Sequence, residues 1–466
     1  MAGGQLGPAI RAVAVVAAVA LGIGSSPAAA DTLLGALAEA YQTNPQLNAQ
    51  RAIVRQTDET VPQALSGYRP RFQASADVGS QYSSTTQQGA GGSVTSSGVT
   101  TPRGVQLQGQ QTLFNGFQTA NRTRSAESSV FAARETLRVL EQTVLLDGAT
   151  AYMNVLRDTA ILEVQRSNVR VLGETLRQTR DRFNVGEVTR TDVAQAQAQL
   201  AAGQSQLLTA ESNLNTSRAT YRRVIGKEPG RLAPGSPVDR LSPPTLPGAI
   251  DAGVNNNPSV TAANYGVDVA QLQVKIAEGA LYPVLTLEGN TQQRWDTQLS
   301  VSEQFTSSIV GRLTIPLYQG GTEYATIRQS KELLGQHRLD LATNRDQARA
   351  TVVQAWGQHE AAKAQIQAAQ EQVTASEVAL NGVREEARVG QRTTLDVLNA
   401  QQALVNARVN LVTAQRDRVV ASFNLLSAVG RLSPQVLGMP TQIYDPMVHY
   451  QQVRDAWGGV RTPDGR

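Results

Sequence analysis

Two runs of this chain limit its fold more than any other feature. Gln118 to Asn184 and Thr322 to Arg388 contain no proline and keep a helical pattern throughout. At ~1.5 Å per residue each would extend about 100 Å, far beyond an ordinary globular helix. Both runs end at a Val-Gly pair. The first opens Val185-Gly186-Glu187-Val188-Thr189-Arg190-Thr191-Asp192-Val193, and the second opens Val389-Gly390-Gln391-Arg392-Thr393-Thr394-Leu395-Asp396-Val397. Glycine suits the left-handed backbone of a tight helix-to-helix turn. The Thr-x-x-Asp or Thr-Asp that follows supplies acceptors for the first free amides of a returning helix. The pattern predicts two long helical hairpins with both corners at one end of a rod.

The two hairpins are copies. Gly186 pairs with Gly390, Asp192 with Asp396 and Gly226 with Gly430, each about 204 residues on. Asn44-Pro45 pairs with Asn257-Pro258 and Pro70 with Pro283, each about 213 residues on. The difference places a longer loop in the first half, between Pro70 and Phe114. Such a repeat is the signature of a duplicated fold. It divides the chain into a first repeat at 31–247, a second at 248–433 and a polar tail at 434–466, which wraps the outside or is mobile. Each repeat opens with a helix, Thr32 to Ser66 or Gly248 to Gly279.

The returning helices carry heptad seams. Val193, Ala196, Leu200, Gly203, Leu207, Ala210, Leu214, Ser217, Tyr221 and Val224 follow strict 3-4 spacing. The second copy runs from Val397 through Ala400, Leu404, Ala407, Leu411 and Ala414 to Leu425 and Ala428, with Arg418 its exception. A second stripe, from Leu395 and Leu398 through Val405, Val412 and Val419 to Leu426, runs beside it. One seam suffices for a two-stranded coiled coil. Two adjacent seams give each helix two neighbours, as staves have in a cylinder.

Two alternating runs precede each long helix. Phe72, Ala74, Ala76 and Val78 alternate with Gln73, Ser75 and Asp77; Val105, Leu107, Gly109 and Leu113 alternate with Gln106, Gln108, Gln110 and Thr112. Leu285, Leu287 and Gly289, then Ile309, Gly311 and Leu313, repeat the pattern. Period two with one apolar side fits strands of an ordinary amphipathic sheet or of a lipid-facing barrel with a wet lumen. Ser83 to Pro102 and Asp296 to Gln304 read as flexible external loops.

Composition narrows the setting. Residues 1–30 read as a secretory signal: Arg11 is the only charge, Ala12 to Ile23 is apolar, and Ala28-Ala29-Ala30 offers a cleavage site. The chain has no cysteine, hence no disulfide and no N-terminal thiol to carry a lipid. No other segment is long and apolar enough for a transmembrane helix, so a membrane crossing would need a barrel. A net charge of +4 with interspersed signs argues against nucleic acid. His337, His359 and His449 lack metal-ligand spacing, and neither a nucleophile constellation nor a phosphate loop is evident. Neither an enzyme nor a cofactor is expected.

Taken together, the duplication, the Val-Gly tips, Thr191-Asp192-Val193, Arg392-Thr393-Thr394-Leu395-Asp396-Val397-Leu398 and the paired Asn-Pro steps resemble the TolC family of outer-membrane export channels. The resemblance covers Asp31 to about Pro434. It implies a mainly α fold with a β-barrel portion: a trimer whose hairpins form an α-helical tunnel joined to a shared twelve-stranded barrel, four strands per protomer. It also implies a passive outer-membrane conduit, opened by an inner-membrane transporter of the RND or ABC type through a periplasmic adaptor. Asp396 matches the first acidic ring of the family's constriction, and Asn399 stands where the second acidic residue would be. Arg392 matches a gate-latching arginine, with Thr191 and Asp192 as its partners. Val185, Gly186, Val389 and Gly390 are the tips an adaptor would contact. Ala387 and Gln415 replace a tyrosine and an arginine of the family's latches, although Arg416 is adjacent. From another class, a soluble periplasmic coiled-coil scaffold would share the seams without needing the strands.

Overall fold

The computed structural model describes residues 31–463 and 465; the predicted signal segment lies outside these. The chain forms α1 (Leu33–Thr43), α2 (Pro45–Asp58), α3 (Thr60–Leu65), β1 (Arg71–Val78), β2 (Gln81–Gly89), β3 (Gly92–Thr100), β4 (Arg103–Asn115), α4 (Gln118–Asn184) and α5 (Arg190–Ile225). The second half adds α6 (Leu246–Asn256), α7 (Pro258–Gly279), β5 (Val284–Gln298), β6 (Val301–Thr314), α8 (Thr322–Arg388) and α9 (Thr394–Ala428). A short α10 (Pro446–Val453) lies in the tail. The long helices α4 and α8 have 67 residues each and occupy the bounds their proline-free runs predicted.

The opening helix of each repeat is broken where a continuous one was expected. Proline lacks an amide hydrogen and pushes the preceding residue out of helical geometry. Asn44 is accordingly extended, and its Oδ1 accepts from Gln46 N at 2.9 Å and Leu47 N at 3.3 Å. Asn257 repeats the break, with Ser259 N donating to Oδ1 at 2.9 Å. The asparagine ends one helix and caps the next.

Strands β1, β4, β5 and β6 form one antiparallel sheet in the order β1-β4-β5-β6. Cross-strand partners share a face, so the register sorts the side chains. Ala74, Leu107, Thr291 and Ser307 lie in one row, with Ala76, Val105, Gln293 and Phe305 in the next and Gly109, Gly289 and Ile309 on the same face. The opposite face carries Gln106, Gln108, Asn290 and Ser308. Two ion pairs lie on it: Arg294 with Asp77 at 2.6 Å and Arg312 with Glu288 at 3.3 Å. A bulge between Thr112 and Phe114 corrects one assignment, because it brings Phe114 rather than Leu113 opposite Leu285 on the apolar face. The bulge inserts one residue, which reverses the alternation beyond it.

The expected flexible loops are strands. Ser83 to Pro102 lies almost wholly in a hairpin of β2 and β3, which pair from Gln81/Thr100 to Gly89/Gly92. The turn needs Gly92 at φ +120. Asp296 to Gln304 is absorbed by β5 and β6, leaving Leu299 and Ser300 between them. Gly98 lies against Leu299, where a Cβ would come within 2.5 Å of Leu299 Cδ2.

The core sits at the waist, where α1, α4, α5 and α9 meet. Tyr41, Tyr152, Tyr221, Phe423 and Leu426 are fully buried there. Burial pushes the Tyr152 hydroxyl up to about 12, and that hydroxyl donates toward Asp31 O at 2.6 Å and Ala233 O at 2.7 Å. The heptad seams hold: Ala196, Gly203, Ala210, Leu214, Leu404, Ala407 and Ala414 are buried. Arg418, the exception, pairs with Asp239 of the inter-repeat segment, and His359 Nε2 meets the same carboxylate at 2.8 Å. Described residues of the tail pack against the body. Leu437 and Met439 join the core, and His449 Nδ1 reaches the buried Asp58 at 2.9 Å.

Candidate functional site: the hairpin tips and the joint behind them

Both corners are built alike. Gly186 and Gly390 have φ +83, a conformation only glycine adopts without strain. Glu187 N donates to Arg182 O at 2.9 Å and Gln391 N to Glu386 O at 2.9 Å, the wide bond of a Schellman close. Val185 and Val389 are left 72% and 69% exposed, which makes them the apolar extremities of the protomer. Chain neighbours aside, no described residue lies within 4 Å of where a Cβ would sit on either glycine.

Each returning helix begins with a capping box, a pair of reciprocal bonds between cap and third residue. Thr189 Oγ1 accepts from Asp192 N at 3.3 Å, and Asp192 Oδ2 accepts from Thr189 N at 2.9 Å. Thr393 and Asp396 repeat this at 3.2 and 3.0 Å. The Thr393 amide and hydroxyl hold the Asp396 carboxyl below its usual range, and the Thr189 hydroxyl and amide do the same for Asp192. Thr191, by contrast, lies exposed on the first turn of α5 and is not the cap. Asn399 is exposed one turn beyond Asp396.

Within the protomer Arg392 does not reach Thr191 or Asp192. Its Nε donates to Glu386 Oε2 at 2.8 Å across its own corner. The first corner inverts this polarity: Arg182 on the outgoing helix bonds Glu187 in the turn at 2.9 Å. Ala387 is half-buried, and its carbonyl accepts from Gly390 N at 3.2 Å. Beside Gln415, Arg416 Nε donates to Asn154 of α4 at 2.9 Å.

Behind the tips the hairpins are joined by an apolar cluster, part of it from the seams, and by polar groups of all four helices. Leu172 and Leu176 of α4, Ala196 of α5 and Leu398 of α9 form a small apolar cluster. Next to it Gln401 Nε2 donates to Asn168 Oδ1 at 3.4 Å, and Arg384 Nη2 of α8 donates to Gln401 Oε1 at 3.0 Å. The adjacent Gln402 accepts from Gln199 of α5 at 3.2 Å. Two neighbouring glutamines thus tie α9 to the other three helices. Asn168 is 1% exposed and Gln401 8%. Of these polar groups only Gln402 falls at a seam position, between Leu398 and Val405 of the second stripe.

Among the described residues no helix is long and apolar enough to cross a membrane. The sheet, with its one apolar face, is the part suited to lipid. The model of the outer membrane efflux protein family matches residues 36–227 and 249–431, one segment per repeat. The chain belongs to that family. It is 42% identical to the outer membrane efflux protein BepC of Brucella suis, over 94% of each chain. It is 26% identical to the outer membrane protein TolC of Escherichia coli, over 89% of this chain and 85% of that one. The crystal structure of the Campylobacter jejuni CmeC outer membrane channel superposes with a TM-score of 0.76, at 16% identity, over 91% of this chain and 89% of that one. This efflux family protein is therefore an outer-membrane export channel with a periplasmic helical tunnel, and the soluble-scaffold alternative falls away.

Proposed function

We propose that three copies of this chain share a twelve-stranded barrel and a tunnel, and form a passive exit duct that opens when an inner-membrane RND or ABC transporter engages it through a periplasmic adaptor. The carrying observation is the continuity of a sheet apolar on one face and polar on the other with hairpins about 100 Å long. In this reading each copy contributes a first repeat at 31–247 and a second at 248–433, and the tail from 434 braces the outside. Tilted as barrel strands are, β4, β5 and β6 stand about 30 Å tall, enough for the apolar band of an outer membrane, and the shorter β1 about 20 Å.

The tips Val185-Gly186 and Val389-Gly390 are the adaptor-docking surface, since they are exposed, apolar and unencumbered. Asp396 and Asn399 narrow the lumen, and Arg392 exchanges Glu386 for Thr191 and Asp192 of the neighbouring copy in the closed duct. The Gln401–Asn168 and Gln402–Gln199 bonds supply the latching that Ala387 and Gln415 cannot. Fractionation combined with an export assay tests the whole reading: the mature chain should partition with outer membranes as a trimer and restore export to a strain lacking it. Release as a soluble periplasmic monomer would remove it.

A further inference from the structure

The C-terminal tail runs back toward the barrel. After α9 its Tyr444 amide donates to Tyr41 Oη at 3.3 Å, at the level where Tyr41 bonds Glu141 of α4. Further on, Arg454 reaches Glu127 of α4 at 3.4 Å. Fourteen residues of α4 separate those two carboxylates, so the tail has climbed about 20 Å toward the strands. It then arrives at the foot of β1. Arg69, two residues before that strand, donates from Nη1 to Ala456 O at 2.6 Å, and its guanidinium lies 4.7 Å from the centre of the Trp457 ring.

Trp457 is 73% exposed there. It has company, because each of the four strand–helix junctions carries an exposed aromatic residue: Tyr68 before β1, Phe117 after β4, Tyr282 before β5 and Tyr318 after β6. Aromatic rings with one apolar and one polar side favour the boundary between headgroups and acyl chains, and barrels carry girdles of them. The tail adds a fifth aromatic to this level from a segment that is not part of the barrel. Its cationic neighbour Arg69 lies where lipid phosphates would.

We propose that the C-terminal tail is a membrane-surface anchor that inserts Trp457 into the phospholipid leaflet on the periplasmic side of the outer membrane. This rests on the channel reading above. The ring continues the lipid-facing girdle, and the contacts to Tyr41, Asp58, Glu127 and Arg69 fix its height on the tunnel wall. In a chain without cysteine, the anchor ties the tunnel's waist to the membrane without a lipid modification.

The test uses tryptophan fluorescence in the full-length protein reconstituted into phosphatidylcholine vesicles. The chain has three tryptophans. A Trp295→Phe/Trp356→Phe chain reports on Trp457 alone, and a Trp356→Phe/Trp457→Phe chain reports on Trp295 of β5. Phosphatidylcholine brominated near the headgroup should quench Trp457 strongly, and lipid brominated near the chain ends should quench it less. Quenching of Trp295 but not Trp457 overturns the anchor, whether Trp457 emits as in water or is blue-shifted under a neighbouring copy. If neither tryptophan is quenched, the sheet has not entered the bilayer and the channel reading itself fails. The difference in quenching between the natural chain and a Trp457→Phe chain gives the same readout without changes elsewhere.

Discussion

The Asp396 carboxylate is held by Thr393, whose backbone amide and hydroxyl donate to the same oxygen, Oδ2, at 3.0 and 2.9 Å. The cap fixes the side chain and leaves Oδ1 free for solvent or a cation. Both bonds favour the charged form, so the carboxyl ionises below its usual range. The sign follows from linkage: a depressed carboxyl contributes stability above its unfolded pKa and loses it as pH falls through the folded one.

Facing one another across a lumen, three such groups raise one another's pKa by like-charge repulsion, and the Thr393 donors oppose that rise. In planar bilayers the channel should prefer cations and be blocked weakly by multivalent cations, with block lost as acid protonates the ring. Asp396→Ala should remove both properties. Unchanged selectivity in that variant would move the constriction elsewhere. Thr393→Val should shift the loss of block to higher pH, because the carboxylate then lacks one donor and its cap.

At the tips, Gly186 and Gly390 share φ +83 with open space around them. A large side chain would meet no wall of its own protomer, so its effects are backbone strain and obstruction of whatever docks. Gly390→Trp should reduce export at least about tenfold, equivalent to ~1.4 kcal/mol of lost docking, while trimers remain in the membrane. Gly390→Ala separates the two effects: it keeps most of the strain with little bulk and should retain more export. Normal export by the Trp variant would exclude the tips as the docking surface.

Ala407 is fully buried on the α9 seam. Ala407→Leu inserts three carbon atoms where close-packed helices leave no void, at a cost of about 1–3 kcal/mol. Thermal unfolding should shift downward. An unchanged midpoint would mean that the seam can repack, and that small residues do not set the helix spacing.

The parts of the fold that were legible in the sequence are those governed by local rules. The bounds of α4 and α8 follow from the absence of proline, and the corners follow from glycine and a capping threonine. The hairpin of β2 and β3 was hidden because Ser, Thr and Gly read as loop, although Thr86 and Thr95 pair across it at 2.9 Å. Arg418 looked like a flaw in a seam, since its partner Asp239 lies 179 residues away. Leu113 was misplaced because a bulge cannot be seen in alternation alone. For the tips, residue types were readable. Which carboxylate caps, and which pairs with Arg392, depended on the path of the turn.

The joint between the hairpins is the least local feature, and it sets the last prediction. Asn168 and Gln401 are 233 residues apart in sequence. Losing the Gln401 side chain would leave Asn168 Oδ1 buried with no partner, at about 1–3 kcal/mol. If the hairpins must part for the duct to open, Gln401→Ala should raise resting conductance and admit large antibiotics that the natural channel excludes. Arg392→Ser should act in the same direction, and the two should combine more than additively if they brace the same closed state. The absence of cysteine allows the converse experiment in an otherwise unaltered background. An Asn168→Cys/Gln401→Cys chain joined by a short thiol-specific cross-linker should lose export while its trimers stay in the membrane, and either single substitution treated alike should export normally. Full export by the cross-linked protein would show that α4 and α9 stay together throughout the transport cycle, and that opening occurs at another seam.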